Sequence, residues 1–165
     1  MISPPDLRAY VIEPVLAHLG AAYATEAAVR LLLGTAAAES NMGQYLNQIG
    51  RGPAASIYQI ERPTYEWTLT TVMQRWPDLH RRALEFCLPV GCPDDFVEMK
   101  GNLYWATAVC RLVYWWRPDP LPAPDDVAGM SSYWKRHYNT EAGAGTRSMF
   151  AKRFRDLVLP YTQEA

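Results

Sequence analysis

Residues 27–38 read Ala-Ala-Val-Arg-Leu-Leu-Leu-Gly-Thr-Ala-Ala-Ala, and a helix of that composition is apolar on nearly every face. Such a helix has to be enclosed by others, so this run sets the architecture: a central helix around which the rest of the chain packs. It follows Thr25 and Glu26 and ends in Glu39. It is too short and too interrupted to span a membrane, which needs about 20 apolar residues.

The remaining punctuation is helical. Residues 6–19 bring Tyr10, Val11, Val15 and Leu19 to one face, with Gly20 where a helix stops. Residues 41–52 lose all periodicity and turn to Gly, Asn, Gln and Tyr, the composition of a polar loop or irregular hairpin beside a cleft. The short apolar stretch Ile57-Tyr58-Gln59-Ile60 follows. Pro63 suits the first turn of a helix over 64–76, and Pro77 breaks the chain before a second helix over 78–86. Residues 88–93 form a connector, after which Asp94 and Asp95 open a long helix reaching residue 116. The proline-rich segment 117–124 predicts an exposed crossover, and 125–138 and 146–159 predict two further helices around a Gly-Ala-Gly turn. Neither a repeat nor a boundary divides the 165 residues, so we expect a single, mainly helical domain with a small hairpin lobe (an α+β arrangement) over residues 1–165.

Composition closes off several function classes. Sixteen Lys and Arg against 17 Asp and Glu give a net charge of −1, which provides no field for nucleic acid or an anionic membrane. The three cysteines, Cys87, Cys92 and Cys110, do not make an even framework; they read as mostly reduced, although Cys87 and Cys92 could close a short loop. His18, His80 and His137 lie far apart with no metal-ligand spacing, so neither a metal nor another cofactor is expected. No nucleophile elbow, cysteine–histidine arrangement or phosphate-binding glycine loop is present. The amino terminus lacks the basic and apolar regions of a secretory leader, which predicts synthesis in the cytoplasm.

Glu39 is out of place. It ends an apolar helix where the chain enters the polar loop, a position at the edge of the core facing a cleft. A carboxyl there is partly desolvated, holds its proton to higher pH and can deliver it to a leaving-group oxygen. The plain alternative is a carboxylate that returns to solvent at a helix end.

The surroundings of Glu39 shift that balance. Glu39-Ser40, then Gly52-Pro53-Ala54-Ala55-Ser56-Ile57-Tyr58-Gln59-Ile60 with Pro63 and Thr64, resemble the first two motifs of the soluble lytic transglycosylases. Asn102-Leu103-Tyr104-Trp105-Ala106 resembles the third, an Asn that opens a helix, and Tyr138-Asn139-Thr140-Glu141-Ala142-Gly143-Ala144-Gly145 resembles the fourth. The motifs keep the family's order across about two thirds of the chain, which also looks like lysozyme-like proteins of tailed bacteriophages. The resemblance implies the lysozyme-like fold and cleavage of the β-1,4 bond between N-acetylmuramic acid and N-acetylglucosamine in peptidoglycan glycan strands. It implies Glu39 as the single acid and base, Ser40 as a residue that orients that carboxyl, and Tyr58, Gln59 and Asn139 as substrate-binding residues. It implies that the Tyr138 hydroxyl points at the muramoyl N-acetyl group or at Glu39. A phage protein of this kind reaches the wall through a holin, or travels as a virion component with tail or ejection proteins.

The sequence departs from the family where a glycine is replaced by Ser56 and a methionine by Tyr58. A hydrolase needs a second carboxylate roughly 5–9.5 Å from the acid, and none occurs between Ser40 and Ile60. That favours a lyase, in which Glu39 acts alone. A muramidase using Glu61 or Thr64 stays open, as does a weakly active virion component that binds the wall. The aromatic residues of the second half (Trp105, Trp115, Trp116, Tyr133, Trp134) read as mostly core, with Trp67 also a candidate for the groove. Lys135, Arg136, Arg147, Lys152, Arg153 and Arg155 read as a solvated face, and His137 as a helix-end residue.

Overall fold

A computed structural model describes residues 1–50, 52–88, 94–140 and 143–162. The first helical segment is α1 (Pro4–Leu7), a π turn (Arg8–Ile12) and α2 (Glu13–Leu19) in one run. The π turn has a cause in Pro14, which lacks an N–H and would press its ring on the carbonyl four residues back. That carbonyl, on Tyr10, accepts instead from the Tyr104 hydroxyl at 2.9 Å. The run stops at Gly20, as the sequence predicts.

The central helix is α3 (Glu26–Ser40), capped by the Thr25 hydroxyl, which accepts from the Ala28 N–H. Residues Leu31 to Ala38 are all buried, so the helix is enclosed as its composition requires. Asn41 ends it in the left-handed conformation that asparagine tolerates. A two-stranded hairpin follows, β1 (Ala54–Ala55) antiparallel to β2 (Ile60–Glu61), with Asn47 bridging to Ala55. This is the expected small lobe.

α4 (Arg62–Arg75) carries Pro63 in its first turn, and α5 (Pro77–Leu84) follows the break at Trp76. The long helix expected over 94–116 is two: α6 (Asp95–Glu98) and α7 (Leu103–Trp115). Apolar spacing carries across the break because Met99 is buried beside both. The backbone is interrupted by Gly101 and by Asn102, whose side chain accepts from the Trp105 N–H as a helix cap and donates to Phe86 O and Glu98 Oε1. α8 (Val127–Trp134) ends in a π turn (Lys135–Asn139), and α9 (Arg147–Leu157) is capped by Thr146.

The buried side chains form one cluster that draws on α1 to α9 and the hairpin. α9 lies close against α3 at Gly34. A methyl group there would stand 2.5 Å from the Phe150 ring and 2.8 Å from that of Phe154. Only hydrogen fits, and this approach brings α9 to the carboxyl end of α3.

Candidate functional site

The cleft is a cavity of about 520 Å³ between the carboxyl end of α3, the hairpin and the turn after α8. Glu39, Gln59, Glu61, Thr64, Tyr138 and Asn139 line it, so three separate stretches of sequence converge there.

Glu39 is held from two sides. The Trp134 indole Nε1–H donates to Glu39 Oε1 at 2.9 Å, and the Arg153 guanidinium donates to the carbonyls of Ala37 and Ala38 at 3.2 and 2.6 Å. Arg153 thereby satisfies carbonyls that the end of a helix leaves open, and sets its charge near the carboxyl. Burial pushes the Glu39 pKa up to about 7, while the indole N–H and the Arg153 charge restrain the rise. The group is therefore poised to give and take a proton near neutrality. Tyr45 adds a bond from its hydroxyl to the Glu39 carbonyl at 2.8 Å.

Gln59 and Asn139 both line the cleft. Gln59 Nε2 donates to Ser56 O, whereas its Oε1 is buried with no donor. Asn139 is fixed by Lys135, whose ammonium group donates to Asn139 Oδ1 at 2.9 Å and to Gly143 O at 2.8 Å. Lys135 is consequently buried rather than part of a solvated face.

Three expectations need correction. Tyr58 is fully buried, and its hydroxyl pairs with that of Thr107 at 3.0 Å, so its ring packs in the core and does not line the cleft. Ser40 is also fully buried. Its hydroxyl donates to Ile57 O at 2.6 Å and accepts from the Gly43 N–H at 2.8 Å, which ties the helix end to the hairpin and leaves the Glu39 carboxyl to Trp134. Tyr138 does line the cleft, but its hydroxyl donates to Tyr58 O at 2.7 Å, and its ring stacks on Tyr114 with centroids 5.2 Å apart. Burial and the Glu39 charge hold the Tyr138 hydroxyl protonated, well above its ordinary range.

Ser56 has a φ of 76°. The serine keeps the left-handed backbone that a glycine adopts freely, and its hydroxyl accepts from the Tyr58 N–H at 3.2 Å. Asn41, Met42, Gln59 and Thr140 are the other non-glycine residues with positive φ among the described residues. Gln59 and Thr140 line the cleft itself, and the rest lie in the loops beside it. Strain of this kind persists where the surrounding structure holds a site in place.

Of the tryptophans, none lines the cleft among the described residues; Trp134 lies beneath it, against Gly145, where a methyl group would meet the indole at 2.6 Å. The sequence reading puts Trp134 in the core and Arg153 on a solvated face; Trp134 is indeed buried but bonds Glu39, and Arg153 instead folds onto the carbonyls of Ala37 and Ala38. A buried indole N–H needs an acceptor, and Arg153 shares a helix face with Phe150. His137, at the end of α8 as expected, is buried with its Nε2 2.8 Å from Asp119 Oδ2. Residues 89–93, 141 and 142 lie outside the described residues, and with them the Cys87–Cys92 pairing and part of the fourth motif.

Cys87, Asp95 and Glu98 place ligand-type atoms within 4.8 Å of one another. Glu98 there accepts from the Leu88 N–H, from Asn102 Nδ2 and from the Cys87 thiol, which burial holds protonated with its pKa pushed up to about 12. These contacts make the group a junction between α5, α6 and α7. No helix among the described residues is long and apolar enough to cross a membrane. Comparison with models of known protein families, with curated proteins and with solved structures finds no match to this chain.

Proposed function

We propose that this chain is a peptidoglycan-cleaving enzyme of lysozyme-like architecture that cuts the β-1,4 bond between N-acetylmuramic acid and N-acetylglucosamine, with Glu39 as its acid and base. The observation that carries the reading is the Glu39 carboxyl itself: it faces a cleft from the end of the enclosed helix, fixed by Trp134, with a pKa near 7. In the first step Glu39 protonates the glycosidic oxygen as the C1–O bond breaks, and the substrate's own N-acetyl oxygen closes on C1. In the second, the Glu39 carboxylate takes the proton of the C6 hydroxyl, whose oxygen attacks C1 and releases the N-acetyl group. The product is a 1,6-anhydromuramoyl end, and no water is consumed.

A hydrolytic second reading is favoured by one observation: Glu61, at the end of β2, and Thr64, in the first turn of α4, line the same cleft as Glu39. In that case Glu61 is the second carboxylate and activates the water. The test is incubation of the protein with insoluble peptidoglycan and mass spectrometry of the released muropeptides. Anhydro products, lighter by one water than hydrolysis products, are the expected result. Reducing ends would establish the hydrolase, and absence of release from walls of several chemotypes would overturn both readings.

A further inference from the structure

A second cavity, of about 620 Å³, lies at the opposite end of α3. Its walls include Thr25, the cap of that helix, together with Arg111, Trp115, Arg117, Tyr133 and the prolines of the crossover. Thirteen residues of helix separate it from Glu39, about 20 Å at 1.5 Å per residue, so it is not part of the cleft.

Two arginines on this cavity, Arg111 buried and Arg117 half-buried, lack a carboxylate partner among the described residues. Arg111 is 3% exposed. Its Nε donates to Tyr23 O at 3.1 Å, and its guanidinium lies 5.2 Å from the centre of the Trp115 ring. The rest of its five N–H groups find no acceptor among the described residues. Arg117 stacks on Trp116 at 3.7 Å, and its Nε is buried with no hydrogen-bond partner. No carboxylate among the described residues pairs with either. Asp119, the acid on the cavity wall, is already engaged by His137 and Arg136.

A guanidinium withdrawn from water is costly unless an anion and a full set of acceptors compensate it. Arg111 is withdrawn in this way and Arg117 in part, and each lies over an indole ring, which preorganises the planar fork that binds an oxyanion. Trp115, Leu121 and the crossover prolines line the cavity as well and supply an apolar wall beside the charge. Cavities of this size hold small organic ligands. We propose that this cavity binds a small ligand that joins an oxyanion, carboxylate or phosphate, to a flat apolar body, with Arg111 and Arg117 taking the anion and Trp115 the apolar part.

The proposal is independent of Glu39 chemistry and is tested on the full chain without peptidoglycan. Benzoate and phenyl phosphate serve as probes, benzyl alcohol as the uncharged counterpart, and sodium chloride as the ionic-strength control. Binding is followed by tryptophan fluorescence and by the rise in melting temperature that a ligand of the folded state produces. The expected result is saturable quenching by at least one anion, weakened about tenfold or more in Arg111→Gln and Arg117→Gln, since charge-assisted hydrogen bonds are lost. Benzyl alcohol is expected to have no such effect. A preference between the anions assigns the oxyanion as carboxylate or phosphate. Circular dichroism checks folding, and if Arg111→Gln fails to fold, Arg117→Gln carries the test. The proposal is overturned if neither anion acts beyond the salt and alcohol controls, or if the folded variants bind as the parent does.

Discussion

Trp134 and Glu39 stand 95 residues apart in the chain and are joined by one hydrogen bond, from the indole Nε1–H to Glu39 Oε1 at 2.9 Å. The bond does two things at once. It fixes the rotamer of a carboxyl that faces the cleft, and it favours the ionised form, opposing the burial that favours the protonated one. Replacing Trp134 with Phe removes the donor while keeping an aromatic ring. Glu39 then titrates at higher pH, so the alkaline limb of a pH–rate profile for wall cleavage moves upward. The maximal rate falls, because the proton is no longer delivered from a fixed position. A profile with its limb unmoved, or moved downward, would show that the indole does not govern Glu39.

Arg153 acts on the same group through charge and on α3 through its carbonyls. Arg153→Gln removes the positive charge that restrains the Glu39 pKa and weakens the cap on Ala37 and Ala38. The expected variant has an alkaline limb shifted upward together with a loss of stability of about 1.5–3 kcal/mol, the usual worth of hydrogen bonds from a charged donor. Urea unfolding and the pH profile, measured together, separate these effects. Arg153→Lys, which keeps the charge, is expected to restore the limb more completely than the stability.

Glu39 itself destabilises the fold at neutral pH. Its carboxyl keeps its proton up to about pH 7 in the folded chain, against an ordinary value of 4.5. Between those values the folded state holds a proton that the unfolded state has released, so stability falls as pH rises through the window and is level above it. The span corresponds to about 3 kcal/mol. Glu39→Gln removes this dependence and still presents an oxygen to the Trp134 N–H. The variant is expected to melt several degrees above the parent at pH 8, with the difference closing towards pH 5, while cleavage is lost. Equal melting temperatures at pH 8 would contradict the burial of this carboxyl.

What could be read from the sequence follows from which forces are local. The enclosed helix and its acidic end were legible because composition alone dictates them, and the stop at Gly20 because it acts within a few residues. The break at Asn102 was hidden from apolar spacing, which stays in phase across Met99 and Leu103, although the family resemblance placed a helix start there. Tyr58 was misassigned because its role was carried over from the resemblance by position, which does not foresee how the positive φ values at Ser56 and Gln59 bring its ring into the core. Trp134 and Arg153 reach Glu39 and the end of α3 only through packing of α8 and α9 on α3, contacts that no local pattern encodes.

Gly34 carries the packing that delivers Arg153. In an exposed helix, replacing Gly with Ala would stabilise by about 1 kcal/mol. Here the new methyl group meets the rings of Phe150 and Phe154, both fully buried, at 2.5 and 2.8 Å. Gly34→Ala is therefore expected to destabilise by about 1–3 kcal/mol, as overpacking does. Pairing it with Phe150→Leu, which opens room at the crossing, should recover part of the loss. A stabilised single variant would mean that α9 can move off α3 freely.

Glu61 decides between the two cleavage chemistries. It is exposed, lines the cleft opposite the end of α3 and sits where β2 passes into α4. In the single-carboxylate mechanism it touches substrate without taking a proton, so Glu61→Gln is expected to keep releasing anhydro-muropeptides at a rate within a few-fold of the parent. The hydrolytic mechanism makes the opposite demand, because the water needs a base: reducing-end products in the parent would disappear in Glu61→Gln. Product mass and rate from the same digest therefore assign the role of this carboxylate. Glu39→Gln, inactive under either mechanism, supplies the blank against which both are measured.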